Sequence, residues 1–410
     1  MAVIKKKQVV ILCGPRPGYG YNPLPPMTNS APEKNIYRLA EFDYGPEIQI
    51  TVISACGKSQ HPKMDLSGRI SQYINIPFPD WLYTFCRHKL FHTRLIESII
   101  NAIFNTYDLF SAIYLSTVIK RIKKISPDLI LINSLPQYMV PIRRHFPKQK
   151  VGLFVRGEMG RSRKYLPELD LILTNSIGMA EYTKKLLNGV QVPIETIPNS
   201  LDKSFCKVPK DYRIFQYQVI YSGRIEDVKG VLELLMAFKI VQEQIHEAKL
   251  IIVGGNYKSG KLTLYEQTLL EYALNHELNI NFTGEIPNDE LSDYLLQADL
   301  AVFPSNCLES FGMVALEAMR CGLPVIASRR PGFEELVKEN ETGILIDDPK
   351  DISSLAKIIV NLLKDQTELK RMGKNGHSRS LDYLPEVTNT MFRDIMTRNL
   401  NLHSSPNKFT

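Results

Sequence analysis

A chain of 410 residues is too long for one ordinary hydrophobic core and, at about 150 residues per domain, predicts two or three units. With 44% apolar and 23% charged residues it has the composition of a folded protein, and no apolar run approaches the roughly 18 residues of a membrane span, which excludes a helical membrane protein. The net charge of +7 conceals an asymmetry: residues 1–206 carry 27 Lys and Arg against 15 Asp and Glu, or +12, and the rest carry 23 against 28, or -5, so the first half should meet something acidic. Six cysteines (Cys13, Cys56, Cys86, Cys206, Cys307 and Cys321) lack CxxC spacing, so no disulfide framework or zinc site is expected. The basic start is followed only by a strand-sized apolar stretch without a cleavage pattern, and the expected location is the cytoplasm.

Residues 9–12 (VVIL) read as a first strand, which empties into CGPRPGYGYNPLPPMTNSAPEKN, with Gly14, Gly18, Gly20 and six prolines, before a helix begins near Glu33. Such a loop lets backbone approach a phosphate. A surface loop capped by Ser30, with Pro32 in the first helical turn, fits the same residues. Strands are expected at 48–54 and 73–77. In residues 81–94, Trp81, Tyr83, Phe85, Leu90 and Phe91 are interleaved with Arg87, His88, Lys89, His92 and Arg94. This is either a helix with its aromatic face in the core or a segment for a membrane interface. His88 and His92 stand four apart, but no third metal ligand comes with them. Residues 108–124 have helical period and end in KRIKK, and 128–133 is a buried-looking strand. The basic group Arg143, Arg144, His145, Lys148 and Lys150 precedes a strand at 151–155 that ends at Arg156, which could serve a ligand or pair with Glu158 or Glu168. Strands at 170–176 and 192–197 lead to the turn PNSLD and then to an aperiodic stretch containing Pro209, the expected hinge.

The second half alternates strand and helix more plainly: strands at 218–222, 249–253, 279–282, 301–303 and 342–346, with helices from Lys229, Leu262, Asn288, Gly312, Asp351 and Glu368. That alternation argues for a parallel sheet covered on both faces. The stretch LAVFPSNCLESFGMVALEAMRCGLPVIASR reads as strand, polar loop, helix and strand. Glu309 and Glu317 stand eight apart, one in the loop and the other beyond the first helical turn, so both could face the crevice above the strand ends, where helix amides meet anionic groups.

Glu309-Ser310-Phe311-Gly312, followed by Glu317-Ala318 and Gly322-Leu323-Pro324-Val325-Ile326-Ala327, resembles the C-terminal signature of the retaining GT-B glycosyltransferases of family 4. Gly223-Arg224 with Lys229-Gly230 is similar to that family's diphosphate-gripping segment, and Thr283-Gly284-Glu285-Ile286 to a turn near its nucleotide base. The resemblance covers residues 195–380 well and the first half loosely. It implies an α/β GT-B fold, two Rossmann-like domains with parallel sheets facing a central cleft. The domains would be an acceptor-side domain at 1–203, a hinge at 204–212, a nucleotide-sugar domain at 213–383 and a last helix at 384–400 crossing back to the first domain. It further implies catalytic roles for Arg224, Lys229 and Glu309, and donor contacts from Gly14, Arg156, Gly223, Gly284, Ile286, Phe311, Gly312, Met313, Val314 and Glu317. Glu317 would hold the ribose and Glu309 the sugar hydroxyls. The chain departs from the family at three places: Ser30 and Ala31 stand where two glycines precede the helix, Arg156 where a histidine is usual, and Ser200 where the turn usually has glycine.

Breaking the anomeric bond of a nucleotide sugar leaves a diphosphate of growing negative charge, which fixed cations stabilise. No Asp-x-Asp occurs in the chain, so Arg224 and Lys229 are expected to meet that charge with no metal and no cofactor. The expected partners are a UDP-sugar or other nucleotide-sugar donor, a polysaccharide, lipid-linked or protein acceptor, and peripherally an anionic membrane. Nucleic acid is not expected, because the basic half has no recognition motif. A catalytically silent binding module, a nucleotide-sugar epimerase and a sugar phosphorylase remain alternatives on the same fold.

Overall fold

The computed structural model describes residues 6–14, 31–57, 71–79, 109–201, 205, 215–255 and 262–402. The loop at 15–30, the aromatic and basic segment at 81–94, and the expected hinge apart from Phe205 lie outside the described residues. The rest divides into two compact units, 1–175 with 179–198 and 385–410, and 176–178 with 199–384.

In the first unit, β1 (Lys7–Leu12), β2 (Ile48–Gly57), β3 (Gln72–Phe78), β4 (Leu129–Asn133), β5 (Lys150–Val155), β6 (Leu171–Thr174) and β7 (Ile194–Thr196) form one parallel sheet in the order β3-β2-β1-β4-β5-β6-β7. Between them run α1 (Ala31–Ala40), α2 (Leu109–Ile125), α3 (Met139–His145) and α4 (Ile177–Leu187). Val9, Val10, Ile11, Leu129, Ile130 and Leu131 are all buried without the alternation of a one-sided strand, as a sheet covered on both faces requires. The ends of α2 and α3 lead into neighbouring β4 and β5, so exposed Lys120, Arg121, Lys123, Lys124, Arg144, Lys148 and Lys150 gather at the amino edge of the sheet. Among the described residues no helix is long and apolar enough to cross a membrane.

The second unit repeats the topology. Strands β8 (Gln218–Ser222), β9 (Lys249–Val253), β10 (Ile280–Gly284), β11 (Leu300–Phe303), β12 (Val325–Ser328) and β13 (Gly343–Ile346) pair in parallel in the order β10-β9-β8-β11-β12-β13. Its helices are α5 (Val231–Gln244), α6 (Leu264–Asn275), α7 (Leu291–Gln297), α8 (Met313–Arg320), α9 (Pro331–Leu336), α10 (Ile352–Lys364) and α11 (Gln366–Ser380), with α10 packed on α5 and α11 on α8. This unit already includes residues 199–201, which the sequence assigned to the first domain. Ser200 and Leu201 are already buried, the Leu201 amide donates to the Tyr383 carbonyl at 3.0 Å, and Phe205 is buried in the core with its carbonyl accepting from Arg320 Nε. The last helix, α12 (Pro385–Asn399), belongs to the first unit: it packs on α1, and Phe392, Ile395 and Met396 lie in one core with Val9, Ile11 and Phe154.

Candidate active site

In both sheets the strand order reverses direction between the first and fourth strands, and an open parallel sheet binds ligands outside the carboxyl ends at that point. In the second unit these are the ends of β8 and β11. The turn after β8 carries Gly223 and Arg224, and the loop after β11 carries Glu309. Tyr221, inside β8, fixes the first of these turns: its hydroxyl donates to the Arg224 carbonyl at 2.8 Å. Burial, and after it the negative charge of Glu309, push the Tyr221 phenol well above its ordinary value, so it stays protonated and acts as a donor. Arg224 Nη1 reaches Glu226 at 3.0 Å while the guanidinium stays open to solvent.

A 3-10 turn, Asp227–Lys229, ends at Gly230, whose φ of 71° is left-handed. A Cβ on Gly230 would lie 1.9 Å from the Pro304 carbonyl oxygen, so only glycine lets this turn lie against the loop after β11. The close approach brings Lys229 Nζ to 2.5 Å from Glu309 Oε1, with side chains only 17% and 15% exposed, which shields the pair from the screening that weakens surface ion pairs. Ser305 Oγ donates to the same Oε1 at 2.7 Å, so Glu309 Oε2 has no hydrogen bond from the described residues. The loop is pinned further on, where Gly332 N–H donates to the Glu309 carbonyl at 2.8 Å, and it ends with Gly312 at φ 89° as N-cap of α8. Ala315 and Leu316 donate to the Gly312 carbonyl. The amides of Gly312, Met313 and Val314 are therefore the ones α8 leaves without an intrahelical acceptor. Phe311 is buried in the core under them, and Glu317, one turn on, is half-buried.

Gly223 sits across from this helix start, its Cβ position 3.8 Å from Val314 Cγ1. Gly254 donates to the Gly284 carbonyl at 2.9 Å, and Ile286 packs partly buried against the core. The second unit thus gathers Gly223, Arg224, Lys229, Glu309, Phe311, Gly312, Met313 and Val314 around the ends of β8 and β11. Gly284 and Ile286 lie beyond β10. Gly14 and Arg156 lie in the first unit. A Cβ on Gly14 would meet Tyr138 Cε2 at 2.7 Å and Leu135 Cδ1 at 2.8 Å, so those side chains would have to shift for a larger residue, and Arg156 lays its guanidinium over the Phe154 ring at 4.8 Å. Sequence reasoning passed over Tyr221, Ser305, Asn306 and Glu233. Asn306 donates from its backbone to the Val228 carbonyl at 2.8 Å and from its side chain to Glu233 Oε1 at 2.9 Å. The available signal was a cluster of small polar residues straight after a buried strand.

A family model described as glycosyl transferases group 1 matches residues 210–379, the segment that holds this constellation. The chain carries a domain of the glycosyl transferases group 1 family. The chain is 27% identical over 317 residues to the putative glycosyltransferase YtcC of Bacillus subtilis, covering 69% of this chain and 77% of that protein. It is 28% identical over 250 residues to the lipopolysaccharide 1,2-N-acetylglucosaminetransferase of Salmonella typhimurium, covering 58% of this chain and 64% of that enzyme. Among solved structures it resembles the sucrose-phosphate synthase of Thermosynechococcus elongatus (TM-score 0.67, 19% identity, 96% of this chain and 99% of that one). It also resembles Anabaena HepE in complex with UDP and glucose (TM-score 0.64, 15% identity, 95% and 99%). At such identities the likeness shows the fold: with these neighbours, the two parallel-sheet Rossmann-like units are of GT-B class.

Proposed function

We propose that the protein is a glycosyltransferase that moves a sugar from a UDP-sugar to a hydroxyl of a surface polysaccharide, glycolipid or coat acceptor, with retention of anomeric configuration. The observation that carries this reading is the part-buried Lys229–Glu309 pair set beside the amino end of α8 at the point where the strand order reverses. A diphosphate lying there meets Arg224, Lys229 and the α8 amides. Glu317 accepts from the ribose, and Glu309 Oε2 accepts from a sugar hydroxyl. As the bond from the anomeric carbon to the diphosphate oxygen breaks, charge grows on a leaving group already facing fixed cations, which need no reorganisation. The acceptor oxygen forms the new bond on the same face, and its proton passes to the departing diphosphate. The cations serve in place of a divalent metal, and no cofactor takes part. Support for the donor class comes from HepE, solved with UDP and glucose. Support for the acceptor class comes from the Salmonella relative, named for lipopolysaccharide. In this reading the enzyme works in the cytoplasm, with the basic edge of its first unit against an anionic membrane.

The purified protein, incubated with a panel of nucleotide sugars and no acceptor, should slowly release free nucleoside diphosphate from one of them. NMR of the released sugar at early times should show the donor's anomer. Release of no diphosphate from any donor would favour a silent binding module. Conversion of the sugar without loss of diphosphate would favour an epimerase, and turnover only with inorganic phosphate a phosphorylase.

A further inference from the structure

We propose that Asn306 and Glu233 form a positioning clamp that sets Lys229 against Glu309, an inference that rests on reading those two as donor-site residues. The turn carrying Lys229 and the loop carrying Glu309 come from different strand ends, so their register must be fixed by contacts between them. Gly230 against Pro304 supplies a steric contact, which limits approach without holding the two together. Asn306 supplies the hold. Its backbone N–H donates to the Val228 carbonyl, one residue before Lys229, and its side-chain amide donates to Glu233 in the first turn of α5. One residue on the loop, through its backbone and its side chain, thereby grips the Lys229 turn on both sides of Gly230.

The chemistry at Glu233 is that of a group held for a purpose other than packing. Its Oε2 is buried without a partner, and Asn306 provides the one hydrogen bond recorded to the carboxylate among the described residues. A half-satisfied buried carboxylate is costly, and the amino end of α5 offsets only part of that cost. An apolar residue would pack there more cheaply but would leave the Asn306 amide without an acceptor. Tyr265 closes the same turn from α6: its oxygen accepts from Leu232 N–H at 3.1 Å, and burial, followed by the charges of Glu233 and Asp227, pushes its phenol up to about 12. The polar contacts around residues 227–233 thus converge on the backbone that carries Lys229, and reacting groups displaced by about 1 Å can lose on the order of 10²-fold in rate.

The test uses the full chain and the donor found by the hydrolysis screen. Asn306→Ala and Glu233→Ala should each lower kcat about tenfold, as a partial misplacement would, with nucleoside diphosphate affinity by calorimetry changed less than about threefold. The double variant should be no slower than the worse single one, because the two side chains act as a unit. Glu233→Gln keeps an acceptor for the Asn306 amide and should recover most of the turnover. Asn306→Asp sets a second carboxylate against Glu233, so its loss at pH 8 should exceed that of Asn306→Ala and shrink toward pH 6, as a shared proton relieves the repulsion. Thermal melts identify variants that lose activity by unfolding, and the Glu233→Gln rescue remains decisive if an alanine variant does so. Lys229→Met, run in parallel, separates the two levels. If it leaves binding and turnover unchanged, the donor-site reading falls and the clamp with it. If it abolishes turnover while the Asn306 and Glu233 variants behave like wild type, the clamp alone is wrong.

Discussion

The two units solve the same topological problem and furnish the solution differently. In each, the first and fourth strands diverge from a common point, which in the first unit lies at the ends of β1 and β4. There the side chains among the described residues are neutral: Asn133 Nδ2 donates to Cys13 Sγ at 3.6 Å, the Tyr114 hydroxyl donates to the Cys13 carbonyl at 2.6 Å, and Tyr138 fills the space beside Gly14. In the second unit the corresponding place holds Arg224, Lys229 and Glu309 with the start of a helix. The sheet provides a place, and the loops decide its chemistry.

The sharpest way to break that contrast is to neutralise the charged side. Glu309→Gln should lower kcat by about 10²-fold, the loss typical of a preorganised electrostatic group. It should leave nucleoside diphosphate binding intact or slightly tighter, because Lys229 is released from its counter-ion to meet phosphate alone. Glu317→Gln should instead appear in KM and in nucleoside diphosphate affinity, since the ribose does not change during reaction. Equal losses of nucleoside diphosphate affinity in the two would show the carboxylates misassigned.

A pair of glycine variants compares the two sites directly. Gly312→Ala drives a Cβ to 2.5 Å from Phe333 Cδ1 at a left-handed φ, and Gly14→Ala drives one to 2.7 Å from Tyr138 Cε2. Overpacking of this kind costs about 1–3 kcal/mol. Both should melt earlier, but only Gly312→Ala should also weaken nucleoside diphosphate binding in calorimetry at a temperature where both are folded. Equal weakening would place donor contacts in both units.

Smaller effects are expected at the basic edge. Lys and Arg near an anionic bilayer contribute about 1 kcal/mol each. The protein should therefore sediment with anionic vesicles at low salt and be released as salt rises, and Lys120→Glu with Lys124→Glu should weaken this without altering turnover on a soluble acceptor. Failure to sediment at low salt would remove the membrane from the account. The smallest effect expected is none: EDTA should leave activity where it was. Loss restored by manganese or magnesium would mean that Arg224 and Lys229 are insufficient for the diphosphate.

Much of the second unit could be read directly from the sequence, because its strands are short apolar runs bounded by glycine or proline. β8 and β9 fall where Gly223 and Gly254 end them, and β11 stops before Pro304. Other elements gave weaker signals. α4 buries Met179, Ala180, Thr183 and Leu187, a face of small and polar residues with little hydrophobic period, while α3 and α9 are too short to show one. Individual site residues could be named because the motif spacing is local. Their pairing was hidden: Lys229 and Glu309, read as serving different parts of one substrate, are 80 positions apart, and only the fold brings them to 2.5 Å. Tyr221 escaped notice because a tyrosine in a buried strand reads as core, and its hydroxyl partner lies outside the strand.

The position of α12 has a consequence for biosynthesis. Its Phe392, Ile395 and Met396 complete a core begun by Val9 and Ile11, whereas the second unit is nearly continuous from 199 to 384. Contacts between such distant parts of a chain form late, and a nascent polypeptide emerges from its amino end. The first unit, though synthesised first, therefore finishes last. Until α12 leaves the ribosome it exposes an apolar strip that a chaperone could hold, and a chain stopped at Leu384 would contain the whole ionic site beside an unfinished neighbour.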